Sequence, residues 1–262
     1  MDEIVLFERV LWGIGLFLDG VLLALLLGRK NHRVFPAFFV YILADFVQGF
    51  VVSVSYRTWG FTSPTASRVA WGTQAIVIAA RALAVAQICE RVLAKYKGVW
   101  ALTKRLLLAT ATVVLLLSWG IAKGSWQFAV LNADRGMELA IASSILVLFL
   151  FIRYYGVAVK HSVRAMAIGF FLYSCFHVLN DTILERWMHN YSTSWNLVGT
   201  LSMLASQSLW IWVLRERQSV ATLEPGLLPE EVYYAVTPEI NDRLRKLNDH
   251  LGQFWNMVGK RS

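Results

Sequence analysis

Long apolar stretches, each about as long as a bilayer is thick, recur along this chain. A membrane-spanning helix needs roughly 20 mostly apolar residues to cross about 30 Å of hydrocarbon. Charged residues make up only 16% of the 262 residues, and the mean hydropathy is +0.52. A soluble domain has about a quarter of its residues charged. The pattern therefore excludes a disordered chain, a disulfide-stapled miniprotein and an ordinary soluble enzyme, and it predicts an all-α integral membrane protein.

Seven such stretches predict a seven-transmembrane helix bundle over residues 1–217. The residues that follow the bundle divide into a proline-containing cytoplasmic linker, 218–237, and a C-terminal helix, 238–262. The predicted spans are Val10–Gly28, Val34–Tyr56, Val69–Arg91, Leu106–Ala122, Gly136–Tyr154, Ala165–Leu184 and Trp195–Leu214.

The distribution of basic residues predicts the orientation of the bundle. Cytoplasmic connections between spans are enriched in Lys and Arg. Thirteen Lys and Arg lie in the first, third and fifth connections or directly after the last span, against six on the opposite side. We therefore expect an external N-terminus and a cytoplasmic C-terminus in the cytoplasmic membrane. The basic residues form no patch with interleaved aromatic residues, so the net charge of +8 predicts no nucleic-acid partner.

The predicted C-terminal helix has an apolar stripe at helical spacing. Thr237 and Pro238 supply a capping residue and a favoured first helical residue. Such a stripe would contact the membrane surface, a second copy of the chain or a cytoplasmic protein partner. Its members are Ile240, Leu244, Leu247, Leu251, Phe254 and Val258.

Polar side chains also occur inside the predicted spans, where a charged group costs on the order of 2.5–3.5 kcal/mol and usually turns inward to find a partner. Arg81 lies at the middle of the third span, and Asp45 and Asp19 lie at a similar depth in the second and first. We expect Arg81 to pair with Asp45, with Asp19 or with both. The polar residues together predict a cavity open to the outside, lined by Asp19, Asp45, Gln48, Gln74, Arg81, Glu138, Tyr173, His177, Asn180, Asp181 and Gln207.

This cluster has two interpretations. As a functional site it would carry ions or protons, or supply the counter-charge for a ligand; as a structural feature it would be a neutralised pair that locks helices together. His177 and Asp181 lie four residues apart, but one histidine with two carboxylates is a poor metal site. We expect neither a metal nor another cofactor, and we expect Cys89 and Cys175 to be free buried thiols.

A short internal similarity relates the second and sixth spans. Phe38–Tyr41 reads FFVY and Phe170–Tyr173 reads FFLY, an offset that aligns Asp45 with His177. Two parallel three-helix repeats joined by one helix would produce such an offset. A match of four aromatic-rich residues also arises easily by chance in so apolar a chain.

Three functions fit these features, and a receptor or sensor that signals through its cytoplasmic tail fits slightly best. A small-solute or proton-coupled carrier comes next, followed by an accessory or assembly subunit of a larger membrane complex. The last span contains no lysine, which excludes a retinal Schiff base there. An enzyme is the least favoured class, because the residues assemble neither a nucleophile with its base nor a metal site.

Overall fold

A computed structural model of the chain describes most of the bundle and a short part of the tail. The described residues are 2–60, 62–94, 96–186, 192–216, 242 and 245–250, with side chains described at all of these except 2–9, 97, 181–186 and 192–196.

The described residues form seven long α-helices joined by short connections, with one 3₁₀ turn at Asn31–Arg33. Prolines at the first positions of the second and third helices suit the start of a helix, where no backbone N–H is needed. The helices are α1 Asp2–Gly28, α2 Pro36–Trp59, α3 Pro64–Leu93, α4 Lys97–Ile121, α5 Trp126–Tyr155, α6 His161–Arg186 and α7 Ser192–Leu214.

Six of these helices are long and apolar enough to cross a membrane. They are α1, α2, α4, α5, α6 and α7, and they make the chain a multi-pass integral membrane protein whose apolar surfaces contact the lipid bilayer. The all-α and multi-pass predictions are thus confirmed. The third predicted span corresponds to α3, which is 30 residues long but is not among the six.

Helices α2 and α3 form an antiparallel hairpin that side-chain amides join at two levels. Midway along α2, Gln48 Nε2 donates to Oε1 of Gln74 over 2.6 Å, and at the start of α2 the backbone N–H of Ala37 donates to Oε1 of Gln87 over 3.2 Å. Helix α3 also contacts α4, α5 and α6. It therefore lies at the centre of the bundle, where its Arg81 faces other helices.

The contacts between helices repeat in two halves. Helices α1, α2 and α3 pack in sequence, as do α5, α6 and α7, and the halves meet where α1 contacts α7 and where α3 contacts α5. Helix α4 lies outside this ring, against α5 and α3. Two parallel three-helix repeats joined by a single helix would pack in this way.

An aromatic cluster fills the space between the two halves. Phe38 of α2 packs edge-to-face against Phe170 of α6 and Trp210 of α7, with ring centroids 5.9 and 5.2 Å away. All three side chains are buried. Edge-to-face pairs of this kind stabilise a core beyond their buried area, so the cluster holds α2, α6 and α7 together.

The tail reaches back to the bundle. Residues 245–250 are helical, and Oδ1 of Asn248 accepts a 2.7 Å hydrogen bond from the backbone N–H of Gly98, in the first turn of α4. Leu247 of the predicted stripe is 37% exposed. The other stripe residues, Ile240, Leu244, Leu251, Phe254 and Val258, lie outside the described residues.

Candidate functional site

Arg81 is buried near the middle of α3 and binds carboxylates of α5. Its guanidinium forms a salt bridge with Glu138, and its Nη1 lies 3.7 Å from Oδ1 of Asp134. The two acids are one helical turn apart, so they present both carboxylates to α3. Glu138 also accepts a hydrogen bond from Oγ of Ser174 on α6. Glu138 is fully buried, and it joins α3, α5 and α6 through one carboxylate.

The sequence predicts that Arg81 pairs with Asp45, with Asp19 or with both, and this prediction is wrong. Neither forms a salt bridge with Arg81; Asp45 interacts with Arg81 and Asp134 only as a nearby charge. The physical reason is helix order, because α3 lies directly against α5 and turns its polar face there. Asp134 lies just before the fifth predicted span, Gly136–Tyr154, and is therefore missing from the predicted cluster. Its four-residue spacing from Glu138 is the signal that would have placed it in the cluster.

Two tyrosines enclose the guanidinium of Arg81. Its Cζ lies 5.6 Å from the ring centroid of Tyr41 on α2 and 4.9 Å from that of Tyr173 on α6. Both distances are within the range of cation–π attraction. The two residues occupy equivalent positions in the internal similarity. Each half of the bundle therefore contributes one equivalent tyrosine to the contact with the Arg81 guanidinium.

His177 stacks near Tyr173, with ring centroids 5.6 Å apart. It is half-buried, one helical turn further along α6. Asn180 follows on the same helix, and its amide lies against Gly199 of α7. The side chain of Asp181, the remaining predicted site residue on α6, lies outside the described part of the chain.

A line of amides extends the cluster toward the α2–α3 connection. Gln74 donates from Nε2 to Oδ2 of Asp134 over 2.9 Å, and its Oε1 accepts from Gln48. Gln48 and Gln74 are half-buried, whereas Arg81 is 3% exposed. The line thus leads from a buried ion pair to a more accessible edge of the bundle.

Asp19 forms a second centre between α1 and α7. Gln207 donates from Nε2 to Oδ1 of Asp19 over 2.7 Å, and both side chains are buried. Asp45, half-buried on α2, lies close enough to Asp19 for the two carboxyl groups to interact electrostatically. The carboxyl group of Asp45 is also within electrostatic range of Arg81 and Asp134.

The centre of the cluster is packed, and the cavity open to the outside stays a prediction, because Asp181 of its predicted lining lies outside the described side chains. Arg81 and Glu138 are almost fully enclosed, whereas several residues around them are half-buried, among them Asp45, Gln48, Gln74, Tyr173 and His177. Within the described residues, no three His, Cys, Asp or Glu side chains lie close enough together to hold a metal ion. Cys89 and Cys175 are free thiols, buried and half-buried respectively.

In comparisons with protein-family models, curated proteins and solved structures, none matches this chain.

Among the described side chains, the formal charges of the cluster do not balance. Asp19, Asp45, Asp134 and Glu138 supply four carboxylates near the middle of the bundle, and Arg81 supplies one guanidinium. The carboxylates remain in excess even if the half-buried Arg135, next to Asp134 on α5, contributes its charge. An uncompensated carboxylate in an apolar interior is strongly disfavoured. Protons or cations must therefore accompany part of this negative charge.

Proposed function

We propose that this protein is a carrier that moves protons or a small cationic solute across the cytoplasmic membrane, with the Arg81 cluster as its central site. The excess of carboxylates over guanidinium at mid-bundle is the observation that carries this proposal. Coupling-ion and substrate sites of carriers with internal repeats lie near the bilayer midplane, where the repeats meet. The salt bridge between Arg81 and Glu138 lies where α3 of one half meets α5 of the other.

The carrier has seven spans in this proposal, with α3 as the seventh, an external N-terminus and a cytoplasmic C-terminus. The hydrogen bonds that pair α2 with α3 at two levels support a third crossing antiparallel to the second. The surplus of Lys and Arg on the odd-numbered connections supports this orientation.

The contacts suggest how a cation would act on the bundle. A cation that enters at the half-buried Asp45 would compete with Arg81 for binding to the carboxylates on α5. Weakening the contact of Arg81 with Asp134 would loosen α3 from α5. Because Tyr41 and Tyr173 hold Arg81 from opposite halves, a shift of the guanidinium would change the packing between the halves. Rocking of one half against the other is the usual route to alternating access.

The test uses purified full-length protein in liposomes with an inside-negative potassium diffusion potential. Proton entry is followed with a trapped pH-sensitive dye, and cation entry with radiolabelled guanidinium and choline. We expect potential-driven entry of protons or of one cation, reduced about tenfold or more in Asp45→Asn. Asp45 makes no salt bridge with Arg81, so this variant should fold. Asp249→Asn, which removes an exposed carboxylate of the tail, should leave the rate unchanged. Rates equal to those of empty liposomes would overturn the proposal.

A second candidate, a sensor that signals through its tail, is favoured by the hydrogen bond between Asn248 and Gly98. This contact gives the tail a direct connection to α4. If the protein is a sensor, binding of a cation probe should change amide hydrogen exchange in residues 245–250 and at the start of α4. Exchange that is unaltered there, together with unchanged cellular output after deletion of residues 218–262, would exclude this role.

An assembly subunit remains the third role, and the burial of the Arg81–Glu138 pair favours it. Such a pair can have a purely structural role. Purification in a mild detergent would then yield a stoichiometric protein partner. A monomer that carries out potential-driven flux would exclude it.

A further inference from the structure

A cavity of about 950 Å³ lies beside α4, between α3, α4 and α5. It is separate from the Arg81 cluster, whose carboxylates do not line it. Helix α4 packs mainly on α5 and touches α3 only over a short length, so part of α3 stays uncovered. We refer to this space as the α4 groove.

One wall of the α4 groove is an alanine face of α3. Ala75, Ala79, Ala82 and Ala86 line it at helical spacing, and α5 adds further alanines. Small residues usually allow two membrane helices to approach closely. Here α4 does not close onto α3, and Ala75 and Ala79 remain exposed. The alanine face thus presents a long apolar surface that no other helix of the described chain covers.

Two opposite charges lie at one end of the α4 groove. Glu90 lies one turn before the end of α3, and Lys104 lies in the second turn of α4, so both are near the connection between these helices. Both side chains are exposed, and they form no salt bridge with each other. Trp100 lines the same end. This end therefore presents one anionic and one cationic group on facing walls.

The length of the α4 groove matches the membrane. Its lining runs along α4 from Trp100 to Trp119, which corresponds to roughly 28 Å at 1.5 Å per residue. The hydrocarbon core of a bilayer is about 30 Å thick. Tryptophans are enriched at membrane interfaces. One phospholipid reaches through one leaflet, which is about half of this thickness. A lipid with its headgroup at the Glu90–Lys104 end would therefore fill the half of the α4 groove next to these charges.

We propose that the α4 groove binds one phosphatidylethanolamine molecule, with its headgroup between Glu90 and Lys104. The primary ammonium would donate hydrogen bonds to the Glu90 carboxylate, and the phosphate would accept from Nζ of Lys104. The acyl chains lie along the alanine face. A choline headgroup cannot donate these hydrogen bonds, and a glycerol headgroup leaves Glu90 without a cation. The two charges together thus select the ethanolamine lipid.

The test is native mass spectrometry of delipidated full-length protein, mixed in turn with phosphatidylethanolamine, phosphatidylcholine and phosphatidylglycerol that have the same acyl chains. We expect one phosphatidylethanolamine per chain, bound about fivefold more tightly than the other two lipids. Glu90→Gln should abolish this preference while phosphatidylcholine binding stays unchanged. Lys104→Gln should weaken all three lipids, and the exposed control Arg29→Gln should not.

A second pair of variants tests the apolar part of the α4 groove. Ala82→Phe fills it and should reduce lipid binding about fivefold, whereas Ala109→Phe, on an exposed position of α4 outside the groove, should not. If Ala82→Phe fails to fold, the surface variants still decide the question. Equal binding of the three lipids with no effect of Glu90→Gln would mean annular lipid only and would overturn the proposal. A dimer that excludes lipid would also overturn it, in favour of a second copy in the groove. Because binding is measured without flux, the result is independent of the carrier proposal.

Discussion

Arg81 of α3 binds Glu138 of α5 with its buried guanidinium, so a charge buried inside the bundle also connects the two halves. Glu138 in turn accepts from Ser174, and Arg81 lies between two tyrosine rings. A charge held by this many groups is sensitive to the loss of any one of them.

Removal of the Arg81 charge should strongly destabilise the protein. Arg81→Met leaves the carboxylates of Glu138 and Asp134 buried without their cation, and breaking a buried ion pair in this way costs about 3–5 kcal/mol. Thermal unfolding in detergent, followed by circular dichroism, measures the loss. Arg68→Met, at an exposed position of the same helix, should leave the midpoint nearly unchanged.

The double variant Arg81→Met/Glu138→Met distinguishes loss of charge balance from loss of shape. Removing both partners relieves the uncompensated carboxylate, so this variant should be more stable than Arg81→Met alone. A double variant that is less stable than the single one would contradict the assignment of Glu138 as the partner of Arg81.

The Asp19–Gln207 hydrogen bond should couple α1 to α7 in a double-mutant cycle. Asp19→Ala and Gln207→Ala each remove one side of a buried 2.7 Å contact, so their effects on unfolding should be non-additive by about 1 kcal/mol. Unfolding in detergent with a chemical denaturant gives the four free energies. The pairing of Asp19→Ala with Ser208→Ala, an exposed neighbour on α7, should be additive. Additivity in the first cycle would mean that the amide and the carboxylate do not interact.

The sequence predicts the apolar helices well, because crossing a bilayer imposes a length and a composition on each of them. It also predicts that Arg81 faces other helices, since a charge at that depth is costly toward lipid. It does not predict which helix lies opposite Arg81, because periodicity defines a face of each helix and says nothing of the order of helices around the bundle. For this reason Asp45 was expected as the partner, and Glu138 and Asp134 form the contact.

The tail was likewise predicted in part. Its apolar stripe indicated an interface, and the contact that the structure describes is polar, between Asn248 and the backbone of Gly98. The spacing of apolar residues identifies a helix face that packs against a partner. A single hydrogen bond between a side chain and the backbone produces no periodic pattern in the sequence.

The close approach of α6 and α7 should depend on Gly169. A Cβ at this position would lie 2.8 Å from Cε2 of Trp210, nearer than atoms can pack, and the Trp210 ring is buried and donates to the carbonyl of Met166. Gly169→Ala should therefore lower the free energy of unfolding by about 1–3 kcal/mol. Gly120→Ala, in α4 with nothing within 4 Å of its Cβ, should be neutral or stabilise, because alanine favours the helix. Equal effects of the two substitutions in thermal unfolding would show that the ring of Trp210 moves aside to make room for the added methyl group.

The hydrogen bond from Gly98 to Asn248 should hold the tail helix against α4. The first N–H groups of a helix lack partners within it, and a side-chain oxygen that accepts from one of them contributes about 0.5–2 kcal/mol. Asn248→Ala should therefore speed amide hydrogen exchange both in residues 245–250 and in the first turn of α4, while the middle of α4 exchanges as before. Asp249→Ala, at the exposed neighbouring position, is the matched control. Faster exchange confined to the tail would show that α4 gains nothing from the contact, and unchanged exchange in both segments would show that other residues hold the tail in place.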